Sequence, residues 1–514
     1  MAAKPAWFTE NLVLGWKVTK GLEPLHWFDN GKPGKHKLTD VVVTDPKTIA
    51  HHTIIVAQSG SGKSFFLGRL IEEILLKTRG RVLVLDMNSD FRKIAEAKDD
   101  SKWTDKRYDR TKRGGFLAEE PTKKDFTSQW DEVSKVVYSK PRPGNVKSEP
   151  LLLDWLNFPI ELLAEDAPEN ERDELRHCHD LIKILADLTE VTNNEKWLKS
   201  FLACAQGFCE AATKDGADIQ ATLCAEFGDI ESGSEARELP KSLAAGNIRY
   251  VYVQRKFPTL ANMFSPGRGR FYQRVLTHCK FISKDSVRVY FSRAVELEQS
   301  GVIDPNVVEA HQVKEPRRIE VVDLPSLRDP RHQKMAISAF LEAAWQRAKS
   351  EWEQALANTA DKDSRVPTFI VVEEAHNAVP VDAVTPAEIK LKEQFRRIAA
   401  EGRKYGLFLI LVSQRPDKLD RMVMSECENR AVMKVGSTVV LRTTCEALAL
   451  DGIVSRLTEK VLDFDLGRAL LAGPWVSDEP TFMVSAARRT EEGGRNLRED
   501  IWAKLPVSPF NPAP

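Results

Sequence analysis

The 514-residue sequence has no excess of charge of either sign: 75 Lys and Arg stand against 75 Asp and Glu. A uniformly basic nucleic-acid coat is thereby excluded, whereas a local basic groove or channel is not. Long apolar runs are also missing. The longest near-continuous one, Leu407 to Val412, falls far short of the ~20 residues that a membrane span needs. Met1 to Lys20 mixes charges with Trp7 and Phe8 and has no apolar signal core, so a cytoplasmic location without membrane attachment is expected. Cysteine pairing is the third absence. The seven cysteines are scattered, with no C-x-x-C pair, which fits a reducing compartment and excludes a disulfide framework. His177-Cys178-His179 reads as structural rather than metal-binding, because neighbouring helical side chains diverge and no second ligand pair follows.

What is present is a globular composition, 42% hydrophobic and 29% charged, in a chain long enough for a large core domain and a second module. Residues 1–45 are expected to form a short β-rich N-terminal segment. Thr53 to Val56 then reads as a strand, followed by a Gly/Ser loop, a helix from Phe65 to Leu76 and a second strand from Arg81 to Asp86. Two β-branched runs joined through a helix predict a βαβ unit and a parallel sheet. Residues 101–157 are charged and poorly periodic and read as an excursion. Residues 158–314 carry apolar residues at helical spacing and read as an inserted helical module. Strands are predicted again at Ile319 to Leu324, Thr368 to Val372 and Leu407 to Val412, with helices over Gln333 to Leu356 and Ala387 to Gly402. The expected fold class is α/β, with a core split between 46–100 and 315–490 and a Pro-rich tail over 491–514.

Three segments carry chemistry. Ala57-Gln58-Ser59-Gly60-Ser61-Gly62-Lys63-Ser64 matches the phosphate loop G-x-x-x-x-G-K-[ST], with Ala57 in place of the first Gly. Small residues at Ser59, Gly60, Ser61 and Gly62 let backbone N–H groups curl around phosphate oxygens at the positive end of the following helix. Lys63 is placed to reach the β/γ-phosphates of ATP and the Ser64 hydroxyl to ligate Mg²⁺. The second segment, Phe369-Ile370-Val371-Val372-Glu373-Glu374-Ala375-His376, runs a buried strand into two acids, where open α/β sheets bind ligands. Glu373 is expected to hold the Mg²⁺ hydration shell and Glu374 to act as general base toward the attacking water. The third, Leu411-Val412-Ser413-Gln414, ends another buried strand on Gln414, a candidate sensor of the γ-phosphate. Phosphate loop, further strand, acidic pair and polar sensor, in that order, describe a RecA-like, additional-strand P-loop ATPase. The guanine-reading N-K-x-D and the L-S-G-G-Q of transporter ATPases are absent.

Beyond these, Val84-Leu85-Asp86-Met87-Asn88-Ser89-Asp90-Phe91, Val322-Asp323-Leu324, Glu401-Gly402-Arg403-Lys404-Tyr405-Gly406, Ser413-Gln414-Arg415-Pro416 and Leu466-Gly467-Arg468-Ala469-Leu470 complete a recognisable set. Together with the phosphate loop and acidic pair, the sequence resembles the HerA branch of the FtsK–HerA superfamily of hexameric DNA-pumping ATPases. That resemblance implies a homo-hexameric ring with ATP sandwiched between subunits and an arginine supplied in trans. Arg403 is the first choice for it, with Arg396 and Arg397 next. It also implies DNA as substrate and a separate effector, a nuclease or an NADase, in DNA-end processing or antiphage defence. The alternative is a ring that binds ATP to assemble and activate the effector while moving little DNA. A type IV secretion motor is a third reading, against which the lack of a membrane span argues. The segment ahead of the phosphate loop is too short for the N-terminal β-barrel of archaeal relatives, which implies a different docking partner. Lys102 to Gly115 interleaves six cations with Trp103 and Tyr108; it is either a DNA-tracking loop or a solvated one.

Overall fold

Short β-branched runs with no polar face cannot sit at a surface, and here they stack side by side into one twelve-stranded sheet. The computed structural model describes residues 10–18, 28–29, 32–33, 41–98, 122–140, 148–153, 160–165, 167–188, 278, 281–302, 317–357, 363, 365–448, 459–476 and 479–493. In chain order the strands are β1 (Leu12–Lys17), a two-stranded hairpin of β2 (Phe28–Asp29) and β3 (Lys32–Pro33), β4 (Val41–Thr44), β5 (Thr53–Val56), β6 (Arg81–Asp86), β7 (Lys135–Ser139) and β8 (Glu149–Pro150). After these come β9 (Ile319–Asp323), β10 (Thr368–Val372), β11 (Leu407–Ser413), β12 (Asn429–Met433), β13 (Arg468–Ala472) and β14 (Thr481–Ser485).

The large sheet runs β4-β1-β14-β13-β12-β5-β11-β10-β6-β9-β7-β8. From β12 to β8 every neighbouring pair is parallel. Residues of β5, β10 and β11 are buried throughout, as strands covered on both faces must be, and one apolar cluster lies against each face. The strand after the phosphate loop's own is not its neighbour: β11 is inserted between β5 and β10. This is the additional-strand arrangement of a RecA-like P-loop core. On the other side of β5, β12 pairs antiparallel with β13, which continues through β14 and β1 to β4.

The helices are α1 (Lys63–Lys77), α2 (Lys123–Asp131), α3 (Ile160–Leu163), α4 (Glu169–Leu188), α5 (Lys284–Gln299), α6 (Pro330–Ala357), α7 (Ala375–Ala378), α8 (Pro386–Tyr405), α9 (Arg421–Ser425) and α10 (Thr438–Ala447). Each helix and strand expected between residues 53 and 86 and between 319 and 413 forms, with ends displaced by a few residues at most. The segment read as an excursion differs. Its residues 135–139 become β7, paired with β9, and α2 beside it buries Phe126 and Trp130 in a stacked pair. Five residues opening on a Lys carry too little periodicity to signal a strand; the pairing edge of β9 decides the conformation. Within the region of helical periodicity, α3, α4 and α5 form, and α4 packs on α5. His177 meets His278, His179 meets Tyr290, and Cys178 is buried between them in sequence. The stretches of helical periodicity at 197–212 and 239–245, the Lys102 to Gly115 segment and the tail beyond residue 493 lie outside the described residues. Among the described residues no helix is long and apolar enough to cross a membrane.

Candidate functional site

The phosphate loop is held at three points. Ala57 N–H donates to the Ser413 carbonyl at 3.1 Å and Gln58 N–H to the Lys434 carbonyl at 2.9 Å, which pins the loop between the ends of β11 and β12. Gly467 N–H donates to the Ser61 carbonyl at 2.8 Å from the turn ahead of β13. Gly62 adopts φ 92°, and a Cβ there would lie 2.9 Å from the Gly467 nitrogen. Only glycine satisfies both conditions. Ser59 and Gly60 remain exposed at the loop crest, Ser61 is buried beneath it, and Lys63 opens α1.

Sheet register converts distant sequence into one cluster. Val372 pairs with Leu411, and Ser413 with Val56, so the chain emerges from β5, β11 and β10 side by side. Glu374 thereby meets Lys63, 311 residues away: the ammonium hydrogen-bonds to Glu374 Oε1. Gln414 Nε2 donates to the same oxygen at 2.6 Å. Burial would raise the Glu374 pKa, but the hydrogen bonds from Lys63 and Gln414 outweigh it and hold the carboxyl below its ordinary value. Glu374 also sits at φ 44°, one of two non-glycine residues with positive φ among those described; the other, Ser89, lies beside the same edge. Side-chain-bearing residues in this region store backbone strain, which clusters where function positions a group. His376 Nδ1 lies 3.2 Å from Ser413 Oγ, and burial lowers its pKa.

Next along the edge lies a row of buried acids, Asp86, Asp323 and Glu373, of which only Glu373 has a role expected from the sequence. Register places Asp323 beside Asp86, and Glu373 follows β10 with its N–H on the Leu85 carbonyl. Asp86 folds its own loop, accepting from the backbone N–H groups of Asn88, Asp90 and Phe91. Asp323 accepts from the Ser89 hydroxyl at 2.6 Å and faces Arg92 at 3.3 Å. Glu373 is fully buried against the Asp86 carboxyl, with no other hydrogen-bond partner for its carboxylate oxygens. Burial first, then the charges of Asp86 and Asp90, push it well above the ordinary carboxylate range. Ser64 Oγ donates to Asp90 Oδ2 at 2.5 Å. The signal in sequence is an acid at the end of each buried strand, as its last residue at Asp86 and Asp323 and directly after it at Glu373.

The three candidate arginines separate clearly. Arg396 forms a bidentate pair with Asp420, at 3.0 and 2.7 Å. Arg397 donates to Glu342 at 2.7 Å and lies over the Trp345 ring at 4.3 Å. Arg403 is 63% exposed, with one 3.2 Å contact to the half-exposed Glu428. It occupies the last turn of α8, just ahead of β11. The seven residues of β11 span about 23 Å at ~3.3 Å per residue, and Gln414 follows their far end. Arg403 is thus remote from the phosphate loop of its own chain.

Residues 30–203 match the family model for the helicase HerA central domain. A probable helicase of Methanocaldococcus jannaschii is 33% identical over 144 residues, 28% of this chain and 27% of that protein. The DNA double-strand break repair helicase HerA of Sulfolobus acidocaldarius is 33% identical over 162 residues, 30% of this chain and 29% of that one. The chain therefore spans less than a third of the length of these curated relatives. Among solved structures, VirB4 of Thermoanaerobacter pseudethanolicus aligns over 93% of this chain and 97% of its own at 14% identity, with a TM-score of 0.43. The resemblance to HerA helicases read from the motifs is matched by this family model and by these relatives.

Proposed function

Starting from this HerA-type kinship, we propose that the chain is an ATP-hydrolysing motor that acts on DNA. The observation that carries the reading is the meeting of Lys63, Glu374 and Gln414 at the ends of α1, β10 and β11. Backbone N–H groups of Ser59 to Gly62 receive the phosphates, and Lys63 leaves Glu374 for the γ-phosphate when ATP arrives. Glu374, kept ionised by its neighbours, then accepts a proton from the attacking water, while Gln414 orients that water or the departing phosphate.

The residues present fit Mg²⁺. Hard oxygen donors suit the ion: Glu373 offers a buried carboxylate, and the Ser64 hydroxyl bonds to Asp90, whose charge also acts on Glu373. Ser64 and Glu373 would hold it, the latter through water. The ion supplies charge neutralisation on the phosphate oxygens.

The reading extends to a homo-hexameric ring in which Arg403 serves the neighbouring subunit, supported by its exposure and its distance from its own loop. A separate effector, a nuclease or an NADase, completes the proposed assembly, in antiphage defence or DNA-end processing. The decisive experiment measures ATP hydrolysis with and without duplex DNA. Wild-type protein is expected to hydrolyse ATP faster with DNA. Glu374→Gln is expected to lose ~10²–10⁴ in kcat while still binding ATP. Full activity in Glu374→Gln would overturn the assignment. Retained effector activation in that variant, with DNA movement gone, would favour the ATP-binding scaffold.

A further inference from the structure

Behind the phosphate loop lies an arginine that none of the motifs includes. Arg488 follows β14 and is completely buried. Its guanidinium donates to the Ser64 carbonyl at 3.3 Å, the Asp90 carbonyl at 3.4 Å, the Glu491 carbonyl at 2.9 Å and Thr490 Oγ1 at 3.0 Å. It lies over the Phe91 ring, 4.8 Å from the centroid. One planar fork thus joins the first turn of α1 to the loop that follows β6. Those are the two segments whose side chains meet in the bond from Ser64 Oγ to Asp90 Oδ2.

A second observation is independent of these bonds. Gly68, one helical turn beyond Ser64, has no room for a Cβ: the atom would fall 2.3 Å from Arg488 Cδ and 2.5 Å from Nε. The helix face is kept bare where the arginine crosses it. The same strand-like segment is fastened further along, with Gly493 N–H on the Asp90 carbonyl at 2.9 Å and Glu491 N–H on the Glu96 carbonyl at 2.8 Å.

We infer that Arg488 is a positioning residue for the Mg²⁺-nucleotide site, fixing the Ser64 hydroxyl against the Asp90 loop through their main-chain carbonyls. This rests on the nucleotide reading given above. A charge buried among carbonyls is costly unless its hydrogen bonds are complete. Here the bonds are complete only when both segments stand at the observed separation. Lysine keeps the charge but has no planar fork and cannot bridge both carbonyls in the same way. Groups that orient metal ligands from behind typically alter metal affinity 10–100-fold when removed.

The test is equilibrium binding of a fluorescent, non-hydrolysable ATP analogue, in Mg²⁺ and in EDTA, with thermal unfolding of each variant as control. Wild-type protein is expected to bind more tightly in Mg²⁺. Arg488→Ala and Arg488→Lys are expected to lose roughly tenfold or more of that Mg²⁺-dependent gain while binding in EDTA stays nearly level. Gly68→Ala, which displaces the arginine without removing it, is expected to reproduce the loss and guards against misfolding of the truncation. Three results would overturn the inference: an undiminished Mg²⁺ gain in Gly68→Ala, full rescue by lysine, or an equal loss in both buffers. Failure of the wild-type protein to bind the analogue at all would instead remove the nucleotide reading.

Discussion

At the scale of single residues, His52 shows how burial sets a charge state. It is 5% exposed, its Nδ1 accepts the Leu409 N–H at 2.9 Å, and desolvation lowers its pKa from 6.5 to about 4. Between those two values the unfolded chain binds a proton that the folded chain refuses, so stability falls as pH drops from 6.5 towards 4. The full effect is about 3 kcal/mol. In His52→Asn the δ-position acceptor is retained and titration is removed; denaturant unfolding from pH 7 to 4.5 is expected to show a shallower decline than wild type. Glu73 works in the opposite electrostatic setting. It is fully buried, yet Arg69, Lys77 and Arg489 overcome the burial penalty and hold it at about 2. Glu73→Gln leaves three cations partly unpaired and is expected to destabilise the fold by ~3–5 kcal/mol, measurable as a lowered denaturation midpoint. Neither residue announces itself in sequence. Lys63 and Glu374 do, because a helix N-terminus and a buried strand end dictate their residue types locally. Arg488 does not, since the carbonyls that require it come from residues 64 and 90.

At the scale of elements, α8 illustrates what was legible. Thr385 caps it by accepting the Glu388 N–H, Glu388 returns to the Thr385 N–H, and Pro386 begins the first turn. The far end closes on Gly406 at φ 81°. These are start and stop signals of the kind sequence displays. Thr385→Ala is expected to cost ~1 kcal/mol, and Gly406→Ala a similar ~1–2 kcal/mol for forcing a Cβ into the left-handed region. Thermal denaturation of the two variants checks both values. The strands of the parallel centre were legible for a related reason: four to seven consecutive apolar residues leave no alternative to double-sided burial. β7 and β12 to β14 were harder. Their sequences gain meaning only from the strands they pair with: β7 from β9, β12 from β5 and β13, and β14 from β13 and β1.

At the scale of the whole molecule, the positions of the arginines predict cooperation between copies. Arg396 and Arg397 are committed to Asp420 and to Glu342 with Trp345, whereas Arg403 is committed only to an exposed partner. An exposed ion pair of this kind is weak and surrendered readily. If Arg403 acts in trans within the proposed ring, mixing Arg403→Ala with Lys63→Ala is expected to restore part of the ATPase lost in each alone, because a mixed assembly would set intact loops against intact arginines. Absence of rescue, with Arg403→Ala fully active by itself, would remove the trans role. The balanced composition, 75 charges of each sign, is compatible with such a motor: positive potential is needed around a bore, and outer faces can be acidic.

The path of the chain through its sheet also orders events during synthesis. β1 stands between β4 and β14, and Val13 N–H reaches Glu73 on α1. The phosphate loop rests on Gly467, and its helix on Arg488. A nascent chain therefore makes its phosphate loop roughly 400 residues before the supports at Gly467 and Arg488. Until residue 488 has left the ribosome, the loop lacks its brace, and β1 remains an open edge awaiting β14. A chain cut short before residue 467 would therefore carry its phosphate loop without the contacts that hold it in place.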